Sequence, residues 1–247
     1  MDEPAVLGPD VVTPYLDRGR RARERTGDAV NAAFGTVNVG EILSDQGRLE
    51  EAKPVLSDVL RVWRAAGYTS GVAYATGQLG RVAYRSGHPD EGRRLLERSR
   101  RLSLRLGSAL ETLEADVRLA ECALFEMEPV STLRTTDAAT DQLAAVDGAM
   151  VLSPLLYRVR GYAWLQLGLP EQARRAFDQS LAEARPRKAD YEVALTLRAL
   201  AELDERSVGG VNQGDGASAV RAESDSILER LGVVHVPEFP LPARVAS

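Results

Sequence analysis

Three stretches of this chain align with one another: Gly47-Arg48-Leu49-Glu50-Glu51-Ala52, Gly87-His88-Pro89-Asp90-Glu91-Gly92 and Gly168-Leu169-Pro170-Glu171-Gln172-Ala173. Each reads glycine, any residue, Leu or Pro, an acid, Glu or Gln, then a small residue. Each sits between two apolar patterns of helical period. The glycine suits a helix C-terminus, where the backbone turns left-handed. Pro89 and Pro170 suit the first turn of the next helix, which needs no N–H there. The acids at 50, 90 and 171 favour that helix's positive end. Ala52, Gly92 and Ala173 allow two helices to approach closely. The spacing therefore predicts a repeated pair of antiparallel helices, and one pair cannot bury its apolar face alone.

The period is 40 residues, from Gly40 to Gly80 and from Gly47 to Gly87. Continuing it reaches Ala120, Gly161 and Ala201, each inside an apolar helical pattern. A period in this range indicates a stacked-helix array. About five units follow, at 29–66, 70–106, 109–146, 150–185 and 189–232. Residues 1–9 are expected to be disordered. Val11 to Arg25 is expected to form an N-terminal capping helix, and 10–232 a single repeat domain. The tail 233–247 contains Pro237, Pro240 and Pro242 and is expected to be extended on the last helices. Units three and five depart from the pattern. The turn Met127-Glu128-Pro129-Val130-Ser131-Thr132 has no glycine, and a long loop, 207–216, replaces the tight turn of unit five. No segment shows the period-two pattern of a strand.

The pattern resembles tetratricopeptide repeats. Small residues stand at the eighth position (Gly40, Gly80, Ala120, Gly161) and at the twentieth (Ala52, Gly92, Ala173). A large apolar residue stands at the twenty-fourth (Leu56, Leu96, Phe177). The resemblance implies an all-α solenoid with a right-handed superhelix. Gly40, Gly47, Ala52, Gly80, Gly87, Gly92, Gly161, Gly168 and Ala173 would be its packing and turn positions. Segments 40–52, 189–203 and 227–234 also resemble the C-terminal repeat region of actinobacterial cyclase–ATPase regulatory proteins. Those proteins' cyclase and ATPase motifs are absent from this sequence.

Composition narrows the chemistry. Net charge is −5 over 247 residues, so nothing draws the molecule as a whole toward nucleic acid or an acidic membrane. No run approaches the roughly 18 apolar residues of a membrane span. Cys122 is the one cysteine, which suits a reducing, cytoplasmic setting. Cys122 and two separated histidines, His88 and His235, match no metal-ligand spacing. The glycine-rich stretch 209–216 lacks the lysine and hydroxyl of a phosphate loop. The arginine-rich run 93–105 falls on a second helix, where a solvated face is the ordinary reading. No catalytic group and no cofactor site emerge.

The resemblance implies that positions two, five, nine, twelve and thirteen of each first helix line a concave groove. The expected groove residues are Phe34, Glu41, Asp45, Tyr74, Arg81, Tyr84, Arg85, Glu121, Arg158, Tyr162 and Arg198. Tyrosine and arginine dominate binding hot spots. These residues could equally pair with one another, for instance Arg81 with Glu121. The leading expectation is a non-catalytic scaffold holding a protein or peptide in that groove. A ligand- or peptide-sensing regulator, and a subunit regulating a nucleotide cyclase or transcription factor, remain alternatives.

Overall fold

The computed structural model describes residues 29–207 and 214–243. The expected capping helix, the N-terminal segment and most of the loop 207–216 lie outside these residues. Ten α-helices are described: α1 (Ala29–Asp45), α2 (Leu49–Ala65), α3 (Thr69–Arg85), α4 (Pro89–Leu106), α5 (Ala109–Phe125), α6 (Pro129–Leu143), α7 (Ser153–Gln166), α8 (Pro170–Ala184), α9 (Asp190–Ser207) and α10 (Gly214–Arg230). Short 3-10 turns at Ala149–Leu152 and Arg185–Arg187 precede α7 and follow α8. The described residues contain no strand. None of their helices is long and apolar enough to cross a membrane.

One turn recurs along the chain. Residues 47, 67, 87, 107, 127, 168 and 188 have positive φ. At each, two hydrogen bonds close the preceding helix. At the first, Gly47 N–H donates to Ser44 C=O (3.1 Å) and Arg48 N–H to Leu43 C=O (2.8 Å). Met127 and Glu128 repeat the pattern onto Leu124 and Ala123, at 3.2 and 2.9 Å. This pair satisfies carbonyls that a helix end otherwise leaves open. The residue after the turn then accepts the first bond of the next helix, as Arg48 C=O does from Ala52 N–H (3.0 Å). Two residues thus end one helix and start another. The sequence reading found this turn at Gly47, Gly87 and Gly168 but missed its occurrence between units, at Gly67 and Gly107. Pro129 opens α6, so unit three keeps the short turn, with Met127 where Gly47, Gly87 and Gly168 stand in units one, two and four.

The chain divides into two compact units, described separately. Unit 1 comprises residues 1–112 and 229–237, and unit 2 comprises 113–228 and 238–247. In unit 1 consecutive helices pack as α1 on α2, α2 on α3 and α3 on α4, and α1 also meets α3. Leu43, Leu56, Val59, Trp63 and Val82 are buried at its core. In unit 2 α6 packs on α7, α7 on α8 and α8 on α9, and α7 also meets α9. Phe177, Leu156 and Leu203 are fully buried there.

The small positions mark where helices cross. A Cβ built on Gly80 would lie 3.1 Å from the Gly92 carbonyl oxygen, and one on Gly92 would lie 2.9 Å from that of Gly80. A Cβ on Gly40 would fall 2.7 Å from Leu56 Cγ, and one on Gly161 would enter the Phe177 ring. Ala52 and Ala173 are fully buried. Unit three solves the same crossing with a hydroxyl. Buried Thr132 donates to the carbonyls of Ala120 (3.3 Å) and Glu128 (3.1 Å). A further link was not read from the sequence. Ser99 and Ser180, buried on α4 and α8, donate to Ala73 and Pro154 carbonyls on the preceding first helix, each at 2.8 Å.

Candidate functional site

In unit 1 the C-terminal ends of α1 and α3 bring charges together. Arg81 pairs with Asp45, and Arg85 donates to the Ser44 carbonyl at 2.7 Å. The Arg81 side chain is buried, whereas Asp45 stays partly exposed. Glu41 is half-buried on the preceding turn of α1. Tyr84 is fully buried, so it is core and not contact surface. Tyr74 packs partly buried against the core. Phe34, 43% exposed, stands apart from these charges. Its ring meets Trp63 at 5.2 Å and Tyr68 at 5.6 Å, at the ends of α2 and α3.

Unit 2 carries a buried charge network between first helices. Arg158 on α7 and Glu121 on α5 are each 2% exposed and lie 3.8 Å apart. Arg158 also reaches Glu192 on α9 at 3.0 Å, and Glu121 also reaches Arg118 at 2.9 Å. Burial opposes the Arg158 charge, but Glu192 and then Glu121 outweigh it and raise its pKa. Burial first, and Glu202 second, push the Tyr162 phenol well above its ordinary value, so it stays protonated. Burial likewise raises the Glu202 carboxyl, against Arg206, Arg221 and Arg198. Arg198 is partly exposed, 3.6 Å from Asp225.

These placements show which of the expected groove residues are buried and which keep surface. In unit 1 Arg81 pairs with Asp45. In unit 2 Glu121 meets Arg158 across the repeat. Arg81, Arg158 and Glu121 are spent holding neighbouring first helices together, because a buried charge is tolerated only when paired. Tyr84 and Tyr162 are buried. Phe34, Glu41, Asp45, Tyr74, Arg85 and Arg198 retain accessible surface.

Residues 233–243 of the tail carry no helix or strand, and they make contacts with first helices. In unit 1 the Val234 and His235 amides donate to the Gln46 carbonyl at 2.8 and 3.4 Å, and Gln46 Nε2 donates to the Leu231 carbonyl at 3.1 Å. A Cβ on Gly47 would lie 2.8 Å from the His235 nitrogen, so this glycine also makes room for the tail. In unit 2 the Phe239 ring rests on Phe125 of α5 (4.9 Å) and Tyr162 of α7 (4.6 Å). Gln166 Nε2 donates to the Pro240 carbonyl at 2.9 Å, and Arg206 of α9 donates to that of Pro242. Phe125, Gln166 and Arg206 hold the same position in successive repeats. Sequence reasoning named that position but did not connect it with the tail, whose prolines mark extension without marking a docking place.

Other candidates are quiet. Cys122 is fully buried, and His88 is exposed in its turn. Among the described residues no group of three or more His, Cys, Asp or Glu is placed to hold a metal. The stretch 209–216 is largely undescribed. A cleft of about 170 Å³ beside Lys53, His88 and Glu91 is smaller than the roughly 300–1,000 Å³ of small-molecule sites.

A family profile described as tetratricopeptide repeat matches residues 31–105, which run from α1 through nearly all of α4. A search of curated proteins finds no match. The match covers less than half of the chain, and the consecutively paired helices of the described residues are consistent with a tetratricopeptide-like helical fold. Such repeats generally mediate protein–protein interaction and are typically non-catalytic.

Proposed function

We propose that the chain is a non-catalytic protein- or peptide-binding module whose partner lies along the face shared by the first helices of unit 2. The observation that carries this reading is that the face in unit 2 already accommodates an extended stretch of polypeptide, gripped through one ring and two carbonyls. Extended peptides are commonly held in this way, with main-chain bonds giving affinity and a side-chain pocket giving specificity. Of the expected set, Arg198 keeps accessible surface in unit 2, and Phe34, Glu41, Asp45, Tyr74 and Arg85 keep it in unit 1. Charges at such a rim guide encounter and orientation more than affinity. A regulatory role in the cytoplasm is supported by the likeness of segments 40–52, 189–203 and 227–234 to the repeat region of actinobacterial cyclase–ATPase regulators.

The test compares the chain with the variant Arg198→Ala as baits in native extract. A stoichiometric protein held by the first and lost from the second, with helicity equal by circular dichroism, supports the reading. Equal capture by both, or a bound metabolite without any protein, overturns it.

A further inference from the structure

We propose that residues 238–243 are a built-in competitor for the first-helix face of unit 2. The partner that takes this face is then an extended segment presenting an aromatic side chain followed by prolines, and it must displace the tail. This rests on the peptide-binding reading above and adds to it the partner's chemistry and its regulation.

Three successive first helices contribute in chain order. Phe125 of α5 and Tyr162 of α7 clasp the Phe239 ring, which is left 8% exposed. Gln166 of α7 and Arg206 of α9 then donate to the carbonyls of Pro240 and Pro242. The spacing is that of an extended chain. Three residues at about 3.1 Å each span roughly the distance between neighbouring packed helices. The described grip consists of an aromatic clasp and side-chain donors to main-chain carbonyls. Prolines keep the carbonyl while removing an N–H that would otherwise need a partner.

The tail also has the marks of a replaceable occupant. Glu238, Pro240 and Ala243 are exposed, so Phe239 is the anchor. Gln166 Oε1 is buried and receives no hydrogen bond, so the tail under-uses the site. A segment offering a donor there gains what the tail does not supply. A tethered occupant acts at an effective concentration on the order of millimolar. A free peptide of equal intrinsic affinity is therefore held off until the tether is loosened.

The experiment uses the full chain and a fluorescent peptide carrying residues 236–243, followed by anisotropy. The Phe239→Ala chain is expected to bind this peptide at least about tenfold more tightly than the unaltered chain, by release of the competitor. Phe239→Leu, which keeps an apolar anchor, should fall between. Adding Gln166→Leu to Phe239→Ala should abolish the gain, and so should replacing the peptide's phenylalanine with alanine. Circular dichroism establishes that each variant is folded. If folded Phe239→Ala and Phe239→Leu bind the peptide no better than the unaltered chain, the tail is a fixed part of the fold and the inference falls. Capture of a partner in the preceding experiment would still stand in that case, so the two failures are distinguishable.

Discussion

Met127 holds φ at +56° where the equivalent turns of units one, two and four use Gly47, Gly87 and Gly168. A side chain in the left-handed region costs roughly 1–2 kcal/mol, offset in part by the smaller entropy it loses on folding. Met127→Gly is therefore expected to stabilise the protein by about 0.5–1 kcal/mol, measured by urea denaturation. An unchanged or lower midpoint would mean that Met127, although exposed, contributes packing that outweighs its strain. Arg158 poses the opposite case. Its charge is buried between two acids, and removing it takes a cation away from both Glu121, which is in the interior, and Glu192. Arg158→Ala should cost about 3 kcal/mol, the lower end of the range for breaking a buried pair. A loss below about 1 kcal/mol, typical of surface pairs, would show that water reaches the network.

At the scale of the helix, α3 and α4 approach so closely at Gly80 and Gly92 that a Cβ on either would meet the other's carbonyl oxygen. A flexible side chain can move aside, but a carbonyl on a neighbouring helix cannot move without shifting that helix. Gly92→Val should thus destabilise by about 1–3 kcal/mol or more, read as a lowered thermal midpoint. The helix pairs were legible because glycine, proline and acid each have a distinct physical reason to stand at a helix junction. The turn at Met127 was not, since methionine carries no left-handed signal and only the repeat register fixes its conformation. The buried network was half legible. Arg81, Glu121 and Arg158 were assigned to first-helix positions on one face, but charge pointed outward and packing against the next repeat took them in. Pairing across repeats depends on the distance between helices, which a periodicity does not report.

At the scale of the whole chain, cohesion comes from helices near in sequence. α1 on α2, α3 on α4 and α7 on α8 are packed as consecutive neighbours, and the two compact units each hold their own buried core. In such an array stability is close to a sum of local terms and nearest-neighbour terms, so damage stays near its origin. Local opening then has a free energy of its own, readable as amide exchange. This yields a test with the variant already named. In Gly92→Val, under conditions where the protein is still mostly folded, amides of α3 and α4 should exchange faster. Those of α7 and α8, whose crossing rests on Gly161 and Phe177, should keep their protection. Faster exchange spread evenly over α3, α4, α7 and α8 would instead describe one all-or-none core, and the repeat would then be a pattern of sequence without being a unit of stability.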